Sequence, residues 1–248
     1  MRALALALVV VAATPAAAQT LDVKFRGYAY DLDTGKFIYN ELHQQRIQDG
    51  RWLGGTITYF APDGSLLGKK TLDFSADLFV PVFRLDLAAR GGYSEAITAV
   101  TADRIDLERK GYGGRVERRS IAHPDIATAD SGFHVFIREH FADLLEGKTV
   151  EFTFVVAGNL DSYRFRARRI EDTTFENKPA VRFKVDPASW LRWLVDPLEL
   201  TYDPALRKLL EYHGISDVHD PATGKAYNAR IIYPSSPPAD APALPAGY

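Results

Sequence analysis

Apolar and polar residues alternate along most of this chain, and turn-forming residues interrupt the alternation at short intervals. A period of two places successive side chains on opposite faces of an extended strand. The β-hairpins predicted from this pattern cover residues 21–47, 52–74 and 148–170. Turns fall at residues 33–35 and 62–64; in the second of them Pro62 fixes φ and Gly64 permits a positive φ.

Further extended segments complete the pattern. They cover residues 93–101, 104–109, 114–121, 179–185, 198–214 and 225–233. Together these segments give about a dozen strands, and their regular spacing favours an antiparallel sheet or barrel. We therefore predict a mainly β fold: a strongly curved antiparallel sheet or half-barrel with one or two helices packed on its concave side.

A helical period replaces the alternation at residues 131–148. Asp130 or Ser131 can cap the start of this helix, and Gly147 can end it in a left-handed conformation. At 100° per residue an apolar stripe forms on one side. The stripe consists of Phe133, Phe136, Ile137, Phe141 and Leu144. This stripe predicts a helix whose first role is to fill space against the sheet.

A second helix is predicted over residues 186–197. Asp186 would cap it, Pro187 would occupy its first position, and Pro197 would end it. Its apolar side carries Trp190, Trp193 and Leu194.

The two ends of the chain differ from the rest. Residues 1–18 combine a basic start, a short apolar run and an Ala-x-Ala ending, which predicts a signal peptide cleaved after Ala18. Residues 19–233 are predicted as a single β-rich domain, with a separable sheet before residue 130 as the alternative. The Pro- and Ala-rich tail, residues 234–248, is predicted to be disordered.

Composition narrows the function classes. The chain has no cysteine, which rules out thiol catalysis, thiolate metal sites, disulfides and bacterial lipid attachment at cysteine. Its net charge of -2 argues against a nucleic-acid partner. The leading apolar run is shorter than the roughly 20 residues of a membrane span, and no later segment is longer. We expect a soluble protein exported across the inner membrane, most simply to the periplasm.

Several segments carry a resemblance. The runs "YDLDTGKFIYNELH", "GFHVFIREHFADLLEGKTVEFTF" and "LVDPLELTYDPALRKLLEYHGISDV" resemble a family of uncharacterised exported bacterial β-rich proteins. In architecture the chain is distantly similar to lipoprotein-carrier half-barrels of the LolA/LolB type. That resemblance implies a curved sheet around helices and an apolar cavity for acyl chains.

Histidines give two candidate sites. His134 and His140 stand about 120° apart on the predicted helix, so they cannot bind one metal ion together. His140 is interpreted first as a core histidine bonded to a backbone carbonyl, and alternatively as a polar anchor in a ligand cavity. His213, Asp217 and His219 share one face of an extended segment, an arrangement that would suit zinc if the strand were straight. The turn-like residues between them disfavour this, so no metal site is assigned.

Arginine and aromatic residues give two more candidates. Arg164, Arg166 and Arg168 alternate along one predicted strand; they either bind an anionic headgroup or form a solvated face paired with acidic residues. The aromatic residues are interpreted first as packed core and alternatively as a cavity wall. The complete set predicted for ligand binding is Phe133, Phe136, His140, Phe141, Trp190, Trp193, Arg164 and Arg166.

The preferred function is non-enzymatic binding of a hydrophobic or lipid-like ligand, with arginines near the mouth selecting an anionic head. No cofactor is expected. No catalytic residue is assigned, because the chain has no G-x-S-x-G nucleophile motif and no phosphate-binding loop. One alternative is a structural or partner-binding envelope protein with a filled core. Another is a hydrolase with a carboxylate pair or the His213, Asp217 and His219 cluster.

Overall fold

The computed structural model describes residues 20–188 and 197–245. Within these residues the chain forms fifteen strands and two α-helices. The strands of the first half are β1 Thr20–Asp31, β2 Phe37–Gln48, β3 Arg51–Phe60, β4 Leu66–Asp73, β5 Val82–Leu87, β6 Tyr93–Val100, β7 Arg104–Lys110 and β8 Val116–Ala122. Those of the second half are β9 Ala127–Ala129, β10 Val150–Val156, β11 Asp161–Phe175, β12 Lys178–Pro187, β13 Leu198–Tyr202, β14 Leu209–His219 and β15 Ala226–Ile232.

All fifteen strands belong to one sheet, in the order β8-β7-β6-β5-β4-β3-β2-β1-β15-β14-β13-β12-β11-β10-β9. The first strand and the last pair in the middle of this order, with Tyr28 opposite Ile232. Every pairing is antiparallel except that between the short β9 and β10. The sheet is curved and does not close, and the fold class predicted from the sequence is confirmed.

The alternation predicted the strands well in the clear hairpins. Phe152 on β10 lies opposite Phe165 on β11, as the shared apolar face requires. The pattern missed β5 and β9, which lie close to prolines and are short. A strand of three residues is too brief to show a period of two, and β9 is held by β10 instead.

Curvature brings distant strands together. At Gly54 and Gly55 in β3 φ is 150° and 153°, a conformation that glycine adopts easily, and the register with β2 shifts beside them. Across the inside of the curve, the turn between β10 and β11 reaches β7 and β8. There Arg109 Nη1 donates to the Gly158 carbonyl at 3.0 Å, and Arg119 Nη1 donates to the Leu160 carbonyl at 3.2 Å.

The predicted helix over residues 131–148 is present, but it consists of two pieces. Helix α1 covers Gly132–Glu139 and helix α2 covers Phe141–Leu145, with His140 between them outside the helical conformation. Ser131 precedes α1 as predicted, although its side chain makes no capping bond, and Gly147 has the predicted positive φ of 82°. Neither of these two short helices, in the part of the chain that is described, is long and apolar enough to cross a membrane.

The apolar stripe of these helices packs against the inner face of β10–β13. Its five members are all buried, namely Phe133, Phe136, Ile137, Phe141 and Leu144. They form one core cluster with strand residues such as Phe152 and Phe183. A second cluster of buried apolar residues, many of them from β2–β7, forms the core in the other half of the sheet. The predicted role of the helix as a plug is confirmed.

For the second helix, predicted over residues 186–197, the predicted start is wrong. Asp186 and Pro187 are the last residues of β12, and Arg166 lies opposite Asp186 in the ladder with β11. The Asp-Pro signal is local, whereas pairing with β11 extends the strand through it. Residues 189–196, which include Trp190 and Trp193, lie outside the described residues, as do residues 1–18 of the predicted signal peptide.

The C-terminal segment from Pro234 to Pro245 contains no helix or strand. Tyr30 donates a hydrogen bond to Asp240 at 3.0 Å, and the Ser235 amide donates to Glu176 at 3.0 Å. The disorder of this tail stays a prediction. The same sheet runs through the segments before and after residue 130.

Candidate functional site

A cavity of about 470 Å3, open on one side, lies within the curve of the sheet. Strands β1–β4 form one wall, and β13–β15 with helix α1 form the other. Its lining is mostly apolar. Representative apolar side chains are Val23, Phe25, Trp52, Phe133, Leu198 and Leu209. The volume falls within the range of roughly 300–1,000 Å3 that is usual for small-molecule sites.

A buried lysine forms part of the cavity floor. Lys70 is 2% exposed, and its ammonium group donates to the carboxylates of Asp130 and Asp217. Burial alone lowers the pKa of Lys70, but the two carboxylates outweigh it and hold the pKa well above its usual value. Asp130 reaches this position from a left-handed backbone conformation, with φ of 45°, between β9 and α1. Lys70 is therefore charged and internally neutralised.

Glu95 on β6 lies near this group without lining the cavity. Tyr93 donates a hydrogen bond to its carboxylate at 2.6 Å. Burial, followed by the charge of Asp217, raises the pKa of Glu95 to about 7, while the Tyr93 bond and Lys70 act against the rise. Its charge therefore changes near neutral pH.

A second polar group lies along β2. The Glu41 carboxylate accepts hydrogen bonds from His43 Nε2 at 2.9 Å and from the Tyr233 hydroxyl at 2.9 Å. Phe25 stacks on the His43 ring with centroids 4.4 Å apart. Nδ1 of His43 is buried and has no hydrogen-bond partner among the described residues. Both of these hydrogen bonds go to Oε2 of Glu41.

Helix α1 contributes His134 to the cavity wall. Its Nδ1 lies 2.9 Å from the Tyr202 hydroxyl, and the two rings stack. Burial, assisted by the charge of Arg138, lowers the pKa of His134 to about 3. The imidazole is consequently neutral at physiological pH and acts as a hydrogen-bonding wall residue.

Three exposed cations also line the cavity: Arg138 at the end of α1, and Arg207 and Lys208 in the turn between β13 and β14. Arg207 Nη1 donates to the Arg138 carbonyl at 3.2 Å, which ties the turn to the helix. We refer to Arg138, Arg207 and Lys208 as the basic rim. No carboxylate in the described ranges forms an ion pair with any of the three.

The aromatic residues predicted for ligand binding have different positions. Phe133 lines the cavity. Phe136 and Phe141 are each 1% exposed, belong to the packed core and do not line the cavity. Trp190 and Trp193 lie outside the described residues. Among the described members, Phe136 and Phe141 are therefore core residues, and Phe133 belongs to the core cluster and also forms part of the cavity wall.

His140 and the arginines lie away from the cavity. The His140 side chain is 34% exposed, contacts the Phe136 ring and lies 4.0 Å from the Asp143 carboxylate. It is therefore not the core histidine bonded to a backbone carbonyl that the apolar stripe suggested, and it does not line the cavity. The helix ends at this residue, which turns the side chain outward. Arg164 pairs with Glu151 at 2.8 Å and Arg166 with Asp186 at 3.1 Å, on the face of β11 opposite the core residue Ala167.

The members of the proposed histidine–aspartate cluster have separate partners. His213 lies 2.9 Å from Glu211, Asp217 accepts from Lys70, and His219 contacts Tyr112. The register of β14 shifts between Ile215 and His219, so the shared parity does not give a shared site. Nowhere in residues 20–188 and 197–245 do three or more His, Cys, Asp or Glu side chains come together in a way that could hold a metal ion.

Sequence reasoning missed the polar groups of the cavity. Lys70 has the same parity as the buried Leu72, and His43 the same parity as the buried Tyr39. For both Lys70 and His43, the sequence signal was a charged or polar residue at a position where the alternation predicts an inward-facing apolar side chain. For the basic rim there was no such signal, because Arg138 and Arg207 are 69 residues apart in the chain.

Comparisons of the chain with protein-family models, with curated proteins and with solved structures gave no match.

Proposed function

We propose that this protein is exported and binds a hydrophobic, lipid-like molecule in its cavity without catalysing a reaction. The observation that carries this proposal is the cavity itself: about 470 Å3, mostly apolar and open on one side. Burying apolar ligand surface there would contribute about 25 cal/mol per Å2. The resemblance in architecture to lipoprotein-carrier half-barrels forms part of the same proposal.

The internal pairing of the cavity's charges supports binding over chemistry. The three carboxylates in the lining are Glu41, Asp130 and Asp217, and each accepts hydrogen bonds from the protein's own side chains. A general acid or base must reach the reacting atom of a substrate. Carboxylates held in this way favour a pre-formed wall over a hydrolytic pair.

The cavity also weighs against a scaffold with a filled core, the function expected of a purely structural envelope protein. A scaffold would gain stability from packing this volume. The edge strand β8 is exposed and remains available to a protein partner, so binding an envelope protein is compatible with the proposal.

The proposal is tested by native mass spectrometry of the protein purified from a bacterial envelope fraction. We expect additional mass that organic extraction removes. Val23→Trp fills the cavity wall and should reduce the bound fraction. Val116→Trp, on the exposed strand β8 away from the cavity, is the matched control and should bind as the wild type does. A ligand-free mass that incubation with envelope lipids leaves unchanged would contradict the proposal.

The same spectrum tests export. Cleavage after Ala18 predicts a mature chain that begins at Gln19. Recovery of the full-length mass from the cytoplasmic fraction alone would contradict both the signal peptide and the periplasmic location.

A further inference from the structure

We propose that the basic rim, formed by Arg138, Arg207 and Lys208, binds the anionic head of an amphiphile whose apolar part occupies the cavity. The inference rests on the proposed function and specifies its ligand class: a molecule with a carboxylate or phosphate head and an apolar tail.

The rim is held in place by its local structure. In the turn between β13 and β14, the Asp203 carboxylate accepts hydrogen bonds from the amides of Ala205 and Leu206, both at 2.8 Å. Arg207 has a left-handed backbone with φ of 52°, and its guanidinium lies 5.8 Å from the Phe141 ring. This conformation is uncommon for a non-glycine residue. Where it does occur, it is often found at a binding or active site. The turn thus places Arg207 against the end of α1.

The rim cations differ from Lys70, Arg164 and Arg166 in having no carboxylate partner among the described residues. Inside the cavity, Lys70 forms ion pairs with both Asp130 and Asp217, and His43 lies 2.9 Å from Glu41. On the outside, Arg164 and Arg166 have their own carboxylates. Within residues 20–188 and 197–245, the three rim cations have no carboxylate within 4.0 Å. Like charges that line one opening raise its positive potential, and a bound anion lowers it.

An apolar side chain joins the rim to the cavity. Leu206 is 70% exposed, lines the cavity and immediately precedes Arg207 and Lys208. An exposed leucine of this kind is stabilised when an apolar chain covers it. Tail and head sites therefore adjoin, which is the arrangement that an amphiphile requires and that a purely apolar ligand does not use.

The side chains of the rim suit oxyanions. Arg207 donates one N–H to the Arg138 carbonyl. A guanidinium has five N–H donors, and the others of Arg207 have no hydrogen-bond partner among the described residues. Arginine binds carboxylate and phosphate oxygens through paired hydrogen bonds, and lysine adds a point charge. A hydroxyl head of the same chain length would receive hydrogen bonds without the charge attraction.

The test measures displacement of N-phenylnaphthylamine, an uncharged fluorophore, from the purified mature protein. Three competitors share one alkyl chain: dodecanoate, dodecyl phosphate and dodecanol. We expect at least one of the two anions to displace the fluorophore at about tenfold lower concentration than dodecanol, because charge-assisted hydrogen bonds add to tail burial. Comparing the two anions distinguishes a carboxylate source from a phosphate source. Added salt should reduce the difference in displacing concentration between the anions and dodecanol.

The variant Arg207→Gln with Lys208→Gln should lose the preference for anions: the concentrations of anion and dodecanol that displace the fluorophore from this variant should become about equal. The matched control, Arg164→Gln with Arg166→Gln, removes the same charge from the outer face of β11 and should keep the preference. Equal displacement by all three competitors, or loss of the preference in the control alone, would overturn this inference and leave the proposed function intact. Failure of the fluorophore and of every competitor to bind would overturn both.

Discussion

At the scale of single residues, the molecule places ionisable groups inside an apolar curve and satisfies each through a neighbour. Lys70 lies at an inward position of β4, where the alternation otherwise provides apolar side chains, and two carboxylates from distant segments compensate its burial. Such a group is destabilising when unpaired.

Replacing Lys70 by methionine should destabilise the protein by about 3 kcal/mol, because the buried Asp130 carboxylate then loses its cation and keeps only the hydrogen bonds from Ser131. This value is near the lower end of the range of about 3–5 kcal/mol that is usual for breaking a buried ion pair. Asp217 is half exposed, so water can hydrate its carboxylate once the lysine is removed. Urea unfolding measures the change. Lys69→Met, at the neighbouring exposed position, is the control and should stay within about 0.5 kcal/mol of the wild type. Equal effects for the two variants would refute the buried ion pair.

Glu95 predicts a specific pH dependence. Its pKa is about 7 in the folded protein and near the ordinary value of 4.5 in the unfolded chain, so the folded state binds more protons between these values. The contribution of Glu95 to stability should therefore fall as pH rises from about 4.5 to about 7 and then level off.

The contribution of Glu95 is the difference in unfolding free energy between the wild type and Glu95→Gln, measured across that pH window. His134 is present in both proteins, so its own titration cancels in the difference. We expect the wild type to lose stability relative to the glutamine variant as pH rises. A difference that is constant with pH would show that Glu95 does not titrate there.

At the scale of elements, the helical segment between β9 and β10 is a plug whose position also builds the site. Its apolar stripe packs on β10–β13, while Ser131, His134 and Arg138 face the cavity. After the break at His140, α2 contacts β11. Packing of the stripe therefore fixes where the cavity wall and the basic rim lie.

Phe136→Ala should destabilise the protein by about 3–5 kcal/mol, because the ring is 1% exposed and packs on Phe152. Chemical unfolding gives the value. Glu139→Ala, on the exposed side of the same helix, should change stability by less than about 0.5 kcal/mol. A small effect at Phe136 would mean that the helix is not packed as described.

At the scale of the whole molecule, the sheet begins and ends near its middle, where β1 pairs with β15, and its two arms curve toward each other. The two arms also contact each other away from the hydrogen-bonded strand pairs. The turn at residues 157–159 meets β6 and β7, where Gly158 lies against the side chains of Glu95 and Tyr93.

Gly158→Ala should destabilise the protein by about 1–3 kcal/mol, because the added methyl group overlaps the Glu95 carboxylate and the Tyr93 hydroxyl. Gly111→Ala is the control: no other atom lies within 4 Å of its added methyl group, and its φ is not positive. Thermal unfolding of the two variants is the measurement. If both alanines prove neutral, the two arms of the sheet do not meet at this point.

The predictability of the structure differs between fold and site. Hairpins such as β10–β11 were predicted because the alternation of Phe152, Phe154 and Phe165 is visible in sequence. The helix predicted from Asp186 was wrong at its start because strand pairing with β11 outweighed a local capping signal. For the site, Phe133 was predicted and lines the cavity, whereas Lys70, His43 and the basic rim were not predicted.

From the residues alone it follows which apolar side chains face inward, where the plug helix lies, and that thiol chemistry plays no part. These properties depend on local period and composition, which a strand or helix retains wherever it packs. Only the tertiary structure decided which polar groups meet. Lys70 and Asp217 are 147 residues apart, and their contact depends on the order and curvature of the whole sheet. The same dependence holds for the cavity, since its walls come from opposite arms of that sheet.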